Sequence, residues 1–264
     1  MEDMDWHAAR SALEWQLELG AVDAIEESPV DRYGLVAVVP KVAIEPKPVA
    51  VSDGSTSAVG FVPEAQDPVA LAEQAAARAS DLVALKSALA VFEYCDLKRG
   101  ARNLVFSDGV LGSSVMILTE PPNREEDVKG SPFAGASGHL LDKMLAAIGL
   151  SRHESVYIGT IVPWRPPQNR DLKSEELSVL LPFLRRHIEL AAPKILICMG
   201  DTSCQAILGK RGVSKLRGQM HHGLDLPVLP MFHPESLLNR PALKSQAWED
   251  LLSLKAWLRT QKET

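Results

Sequence analysis

The sequence predicts an α/β fold, a three-layer sandwich in which helices cover both faces of a central, mostly parallel four-stranded sheet. Four short apolar runs predict the strands: residues 115–119, 156–162, 194–199 and 228–232. Helical patterns lie between and after them, at residues 137–149, 174–191, 201–208 and 242–259. Near-continuous apolar strands that alternate with helices are typical of a parallel sheet buried on both faces.

Local signals support the predicted helix boundaries. Ser174 and Asp201 are good capping residues at two helix starts, because their side chains can accept hydrogen bonds from free backbone N–H groups. Gly149 and Gly209 are good stops, because glycine adopts the left-handed conformation that ends many helices.

The first third of the chain has a different character. Residues 1–39 are predicted to form a helical extension, since residues such as Trp6, Leu13 and Leu17 fall on one helical face. Residues 40–70 are rich in Pro, Ser and Val without a period, which is typical of a flexible linker. Residues 85–264 are predicted to form the α/β domain, and a helical pattern at residues 68–94 leads into it.

Composition limits the classes of protein that fit. The chain has no uncharged apolar run of membrane-spanning length, and its N-terminus is acidic where a secretion signal is basic. Its three cysteines lack close spacing, which favours a reducing compartment. We therefore expect a cytoplasmic protein without a membrane partner.

Charge is unevenly distributed. Residues 1–90 carry 6 Lys and Arg against 15 Asp and Glu, whereas residues 91–264 carry 22 against 19. The mildly basic segment 91–264 is compatible with nucleic-acid binding. The acidic segment 1–90 leaves open a role in protein interaction.

Unusual residues follow three of the predicted strands, at the edge where open α/β sheets bind ligands. Glu120 and Asp127 follow the first strand, with Phe133 a little further on, Thr160 ends the second, and His233 ends the fourth. An aromatic ring can stack on an extruded base and a polar group can read its edge. A carboxylate can position water, and a histidine can stabilise a departing anion. Each of these residues alone also fits a surface loop or ordinary packing.

The segment 231–241, MFHPESLLNRP, is the most informative stretch. Leu237 and Leu238 are predicted to project from a loop held by Pro234 and Pro241, as an apolar wedge that enters a DNA stack. Candidates for contacts with the DNA backbone are the polar and cationic residues of this and an earlier loop: Arg165, Arg170, Asn239 and Arg240. The alternative is a buried strand followed by a helix, with the leucines in the core.

Residues 95–258 resemble the uracil-DNA glycosylase superfamily, and its family 4 branch in particular. The resemblance rests on three segments in the same order: EEDVKGSPFAGASGHLLDKMLAAIGL, VYIGTIVPWRPPQNR, and LRG followed by PVLPMFHPESLLNRP. It implies a glycosylase that flips a base out of DNA and cleaves its N-glycosidic bond. Such a protein is expected to be a monomer that is associated with the nucleoid while acting on DNA. Phe133 would stack on the base, Thr160 would read its edge, and Glu120, Asp127 and His233 would carry the chemistry.

Two departures from the family pattern leave a second interpretation open, a DNA-binding member whose catalysis is altered or lost. The first motif, Gly-Glu-Ala/Gly-Pro-Gly in the family, is Thr119 to Asn123 here, and Pro121 removes an N–H donor next to the expected base. Thr160 stands where the family has a base-reading asparagine.

The resemblance also bears on a cofactor. Family 4 members commonly hold a [4Fe–4S] cluster on four cysteines, of which only Cys95 is matched here. Phe92, Trp164 and the pair Leu180 and Leu181 occupy the other positions. We therefore expect no cofactor and no metal.

Overall fold

In a computed structural model the described residues are 67–261; the predicted helix at residues 1–39 and most of the linker lie outside them. The helices are α1 (Pro68–Arg78), α2 (Leu82–Val91), α3 (Leu97–Gly100), α4 (Arg124–Lys129), α5 (Ala136–Ile148), α6 (Ser174–Ala191), α7 (Asp201–Leu208), α8 (Val213–Leu216), α9 (Pro234–Asn239) and α10 (Lys244–Thr260). The strands are β1 (Ser107–Gly109), β2 (Val115–Thr119), β3 (Val156–Thr160), β4 (Ile195–Met199), β5 (His221–Gly223) and β6 (Leu226–Met231).

The sheet is mixed, with the order β1-β3-β2-β4-β6-β5. The four predicted strands form its parallel centre, β3-β2-β4-β6, which confirms the fold class. The predicted number of strands was too low, because β1 and β5 pair antiparallel at the two edges. Both edge strands are three residues long and polar (Ser-Asp-Gly and His-His-Gly), so no apolar alternation marked them.

The central strands are buried on both faces. β2, β3 and β4 are buried at every position, as expected when helices cover both sides of a parallel sheet. At the sheet's carboxyl edge, β2 ends at Thr119, β3 at Thr160 and β6 at Met231, two residues before His233. This register brings the loops after these strands to one edge, where the candidate residues lie.

The packed region begins before residue 85. Helix α1 packs extensively along α6, and Ala72 and Ala76 belong to the hydrophobic core. The first residues of α1 fall within the segment 40–70 predicted as linker, and residue 85 lies inside α2. Among the described residues, no helix is both long and apolar enough to cross a membrane.

Candidate active site

His233 is the central residue of the candidate site. It follows β6, caps the N-terminus of α9 and is 5% exposed. Its Nδ1 accepts a hydrogen bond from the backbone N–H of Glu235 at 3.2 Å, and its Nε2 lies 3.0 Å from the hydroxyl of Thr119. Burial lowers the pKa of His233 to about 4, so the imidazole is neutral near pH 7.

Phe133 stacks on the His233 ring. The ring centroids are 5.2 Å apart, the planes differ by 17°, and Phe133 is only 2% exposed. The sequence analysis placed Phe133 and His233 in one site, and in the structure their rings are in contact. Because Phe133 is almost fully buried, a base can stack on it only after neighbouring groups move.

Two buried side chains that sequence reasoning missed hold Phe133 in place. Phe133 has a positive φ of 52°, a conformation that costs free energy in a bulky residue. Its N–H donates to the Glu126 carboxylate at 2.5 Å, and its carbonyl accepts from the Arg152 guanidinium at 3.4 Å. Gly138 allows the close packing, because a Cβ there would lie 1.8 Å from the Phe133 carbonyl oxygen.

Glu126 also explains the altered first motif. Asn123 caps α4 by accepting from the N–H groups of Glu125 and Glu126, while the Glu126 carboxylate accepts from the Asn123 N–H at 2.9 Å. This reciprocal capping box suits an asparagine rather than a glycine. Burial raises the pKa of Glu126, and the two backbone donors oppose that rise. The capping signal, Asn followed three residues later by Glu, was present in the sequence.

The Asp127 carboxylate is buried and bound by backbone N–H groups of the fold. Asp127 is 3% exposed, and its carboxylate accepts from the backbone N–H groups of Arg102 at 2.8 Å and Asn103 at 3.2 Å. The Asn103 side chain returns a bond to the Asp127 carbonyl at 2.7 Å. These contacts hold the loop before β1 and occupy the carboxylate, which argues against the predicted role of Asp127 in positioning water.

Glu120 is the carboxylate placed at the edge of the sheet. It directly follows β2 and accepts from the backbone N–H and hydroxyl of Thr202, at 3.3 and 3.4 Å, in the first turn of α7. Burial raises its pKa, which makes it a stronger proton acceptor than an exposed glutamate. Gly200 permits this approach, since a Cβ on it would lie 2.3 Å from the Glu120 carboxyl carbon.

Thr160 and Pro121 complete the predicted base-binding set. The Thr160 hydroxyl is buried and donates to the carbonyl of Val105 at 2.7 Å, so its proton is already used within the fold. It retains acceptor capacity only. Pro121 is half-buried in the turn between β2 and α4, beside Glu120. The edge-reading role of Thr160 and the place of Pro121 in the base-binding set stay predictions.

The predicted wedge is corrected by the structure. Residues 234–239 form the helix α9 rather than a loop. Leu237 is 1% exposed and belongs to the core, so the prediction that it projects outward is wrong. Helical periodicity turns adjacent residues to different directions, and Leu238 is 41% exposed. Leu238 is therefore the one wedge candidate of the pair.

The candidate DNA-contacting residues differ in exposure and in the hydrogen bonds that their side chains already make within the protein. Asn239 and Arg240 are exposed beside Leu238. The Arg165 guanidinium donates to the side chain of Asn169 at 2.7 Å on a neighbouring turn. Arg170 is bound by Glu176 through two hydrogen bonds, at 2.9 and 2.5 Å, which ties it to the start of α6. Arg170 is thus a weaker candidate for a phosphate contact than Arg240.

The residues at the expected cluster position do not fit an iron–sulfur group. Cys95, Cys198 and Cys204 are the chain's three cysteines, and all are buried and free. Phe92 packs edge-on against Phe183, with centroids 5.2 Å apart. Trp164 is 3% exposed, and burial raises the pKa of the Cys95 thiol, which disfavours the thiolate that a metal needs. A [4Fe–4S] cluster needs a full ligand set.

We therefore propose that apolar packing replaces the cluster. Protein purified under anaerobic conditions should be colourless and contain no stoichiometric iron. Iron assay and absorption spectroscopy check this, with the Cys95→Ser variant as a matched control that should give the same result. About four irons per chain, with broad visible absorption, would contradict the proposal.

The α/β fold, the loop set at the carboxyl edge of its sheet and the buried histidine define a glycosylase-type hydrolase. Residues 106–252, more than half of the chain, match the family model of the uracil DNA glycosylase superfamily. The chain belongs to that superfamily.

Three relatives carry the name type-4 uracil-DNA glycosylase. The protein of Archaeoglobus fulgidus is 36% identical over 165 residues, covering 59% of this chain and 82% of the relative. That of Saccharolobus solfataricus is 33% identical over 171 residues, covering 61% and 79%. That of Sulfurisphaera tokodaii is also 33% identical over 171 residues, covering 61% and 77%. The family 4 resemblance is thereby confirmed.

Proposed function

We propose that this protein hydrolyses the N-glycosidic bond of uracil, or of another deaminated base, after flipping the nucleotide out of DNA. The observation that carries the proposal is the neutral, buried imidazole of His233 beside Phe133 at the carboxyl edge of the sheet. Its relatives' names and its own family support the same reaction class.

The chemistry can be assigned to this chain's own residues. Phe133 offers a ring face for the extruded base. As the bond between the base and the sugar breaks, its electron pair goes to the base, and the Nε2–H of His233 stabilises the resulting anion. Water attacks the anomeric carbon of the sugar and passes its proton to Glu120, whose raised pKa suits this role. The base anion then takes a proton from solvent and Glu120 returns its proton to solvent, leaving a free base and an abasic sugar.

The surface around the site suits a distorted duplex. Leu238 would fill the space that the extruded nucleotide vacates, and Arg240 would contact phosphate; the exposure of both side chains supports these roles. Because unstacking and unpairing a base costs a few kcal/mol, such a filler stabilises the flipped state.

One observation favours a second candidate, a DNA-binding member with altered or lost catalysis. The Thr119 hydroxyl lies 3.0 Å from the nitrogen of His233 that the reaction needs, and the rings of His233 and Phe133 are closed on each other. In this form the protein would recognise distorted duplex without releasing a base.

A base-release screen separates the two candidates. Duplexes that each carry one uracil, hypoxanthine or xanthine are incubated with the full chain, and the free base is quantified, with thymine at the same position as the control. We expect release from at least one deaminated base and none from thymine. No release from any duplex, together with preferred binding to distorted duplex, would establish the second candidate instead.

A further inference from the structure

Thr119 contacts Nε2 of His233, the nitrogen assigned to stabilise the departing base. It is the last residue of β2, is 1% exposed, and its hydroxyl oxygen lies 3.0 Å from Nε2. Both groups are buried, so bulk water does not compete for this hydrogen bond. The bond joins the end of β2 to the start of α9 across β4 of the sheet.

The direction of the bond follows from the other ring nitrogen. Nδ1 of His233 accepts from the backbone N–H of Glu235 and therefore carries no proton. A neutral imidazole has one N–H, so the proton is on Nε2, which donates to the Thr119 hydroxyl oxygen. The donor that a departing base would use is thus already occupied within the protein.

The same bond keeps the site closed. With Nδ1 held at the start of α9 and Nε2 held by Thr119, the His233 ring is fixed at both nitrogens against Phe133. Phe133 is 2% exposed, so it offers no open face to a base while His233 and the other neighbouring groups keep this arrangement.

We propose that Thr119 is a positioning residue that holds His233 in the closed site, and that base binding exchanges the Thr119 hydroxyl for a carbonyl oxygen of the base on Nε2. This inference rests on the proposed function. Thr119 does not touch the reacting atoms. Its hydrogen bond determines the free energy needed to release Nε2 of His233. The base must supply another acceptor for Nε2–H before the N-glycosidic bond breaks.

This exchange of hydrogen-bond acceptors favours bases that carry a carbonyl oxygen at the edge facing Nε2. A base with a carbonyl oxygen directed at Nε2 replaces the lost bond, whereas a base with only donors there leaves a buried N–H unpaired. Discrimination by an unpaired polar group is stronger than discrimination by shape alone. Thr119 therefore raises selectivity for carbonyl-bearing bases and lowers the rate with all of them.

The test compares three variants with the wild-type chain. Thr119→Val keeps the shape and removes the hydroxyl, Thr119→Ser keeps the hydroxyl, and Thr119→Ala serves if the valine variant does not fold. Base release is measured under single-turnover conditions on the duplex panel. Nitrogen-15 NMR of labelled histidine reports whether the Nε2–H bond of His233 has changed.

We expect Thr119→Val to release base about 3- to 10-fold faster than wild type, which corresponds to the usual net worth of one hydrogen bond. Its His233 Nε2 signal should shift, while Thr119→Ser should stay near wild type in both measurements. An inactive wild type with an active Thr119→Val would support this inference and overturn the proposed function. An active wild type with an equal or slower Thr119→Val would overturn this inference alone. If wild type and both hydroxyl-free variants release no base, both fail.

Discussion

Replacing His233 by alanine should slow base release by about 10²–10³-fold while leaving duplex affinity close to wild type. Removing one preorganised donor to a developing anion typically costs that much in rate. His233 is buried and stacked on Phe133, so its loss should not change phosphate contacts made by exposed residues. Single-turnover base release and duplex binding by fluorescence anisotropy measure the two effects separately.

His233→Gln is the control, because its side-chain NH₂ group still supplies an N–H donor at a similar reach. It should recover part of the lost rate. If His233→Ala weakens duplex binding as much as it slows base release, His233 is part of the DNA-binding surface and its assigned role is wrong.

The pH dependence follows from the neutral state of His233. Because its pKa is lowered to about 4, the Nε2–H donor persists as pH rises through 6.5, and His233 should cause no loss of rate there. A folded pKa below the ordinary 6.5 also means that its contribution to stability is complete above pH 6.5 and is lost as pH falls toward 4.

The adjacent residues Leu237 and Leu238 should give opposite results when each is changed to alanine. Leu237→Ala should lower the free energy of unfolding by about 2–5 kcal/mol, because it leaves a cavity in the core. Leu238→Ala should change stability by no more than about 0.5 kcal/mol, as for most exposed positions. Urea denaturation measures both.

Duplex binding should show the reverse order. Leu238→Ala should weaken binding to damaged or mismatched duplex more than to single strands, since only a duplex needs the vacated space filled. Folded Leu237→Ala should bind both much as wild type does. Equal loss of duplex and single-strand affinity in Leu238→Ala would contradict insertion.

The central fold was predictable because its signals are local and periodic. The apolar runs that became β2, β3, β4 and β6 are fully or largely buried, so hydrophobicity alone located them. The edge strand β5 gave no such signal, because His221 and His222 read as a polar turn. Its pairing depends on the antiparallel partner β6, which is a tertiary contact.

The sequence predicted several residues of the candidate site, but it did not predict which of their side chains contact each other. Glu120 and His233 follow predicted parallel strands, and the carboxyl ends of such strands lie at one edge of a sheet. The sequence did not show which carboxylate of the pair Glu126 and Asp127 would face Phe133, because helix capping decides that orientation. It also gave no indication that Thr119 would pair with His233, since the two are 114 residues apart.

The most direct measurement is a crystal structure of the full chain bound to a duplex that carries 2′-fluoro-2′-deoxyuridine, chosen as a cleavage-resistant substrate analogue. We expect an extruded uracil stacked on Phe133, with a carbonyl oxygen hydrogen-bonded to Nε2 of His233, and Leu238 in the vacated space. A uracil that remains stacked in the duplex, or one bound while the Phe133 and His233 site stays closed and empty, would contradict the proposed function.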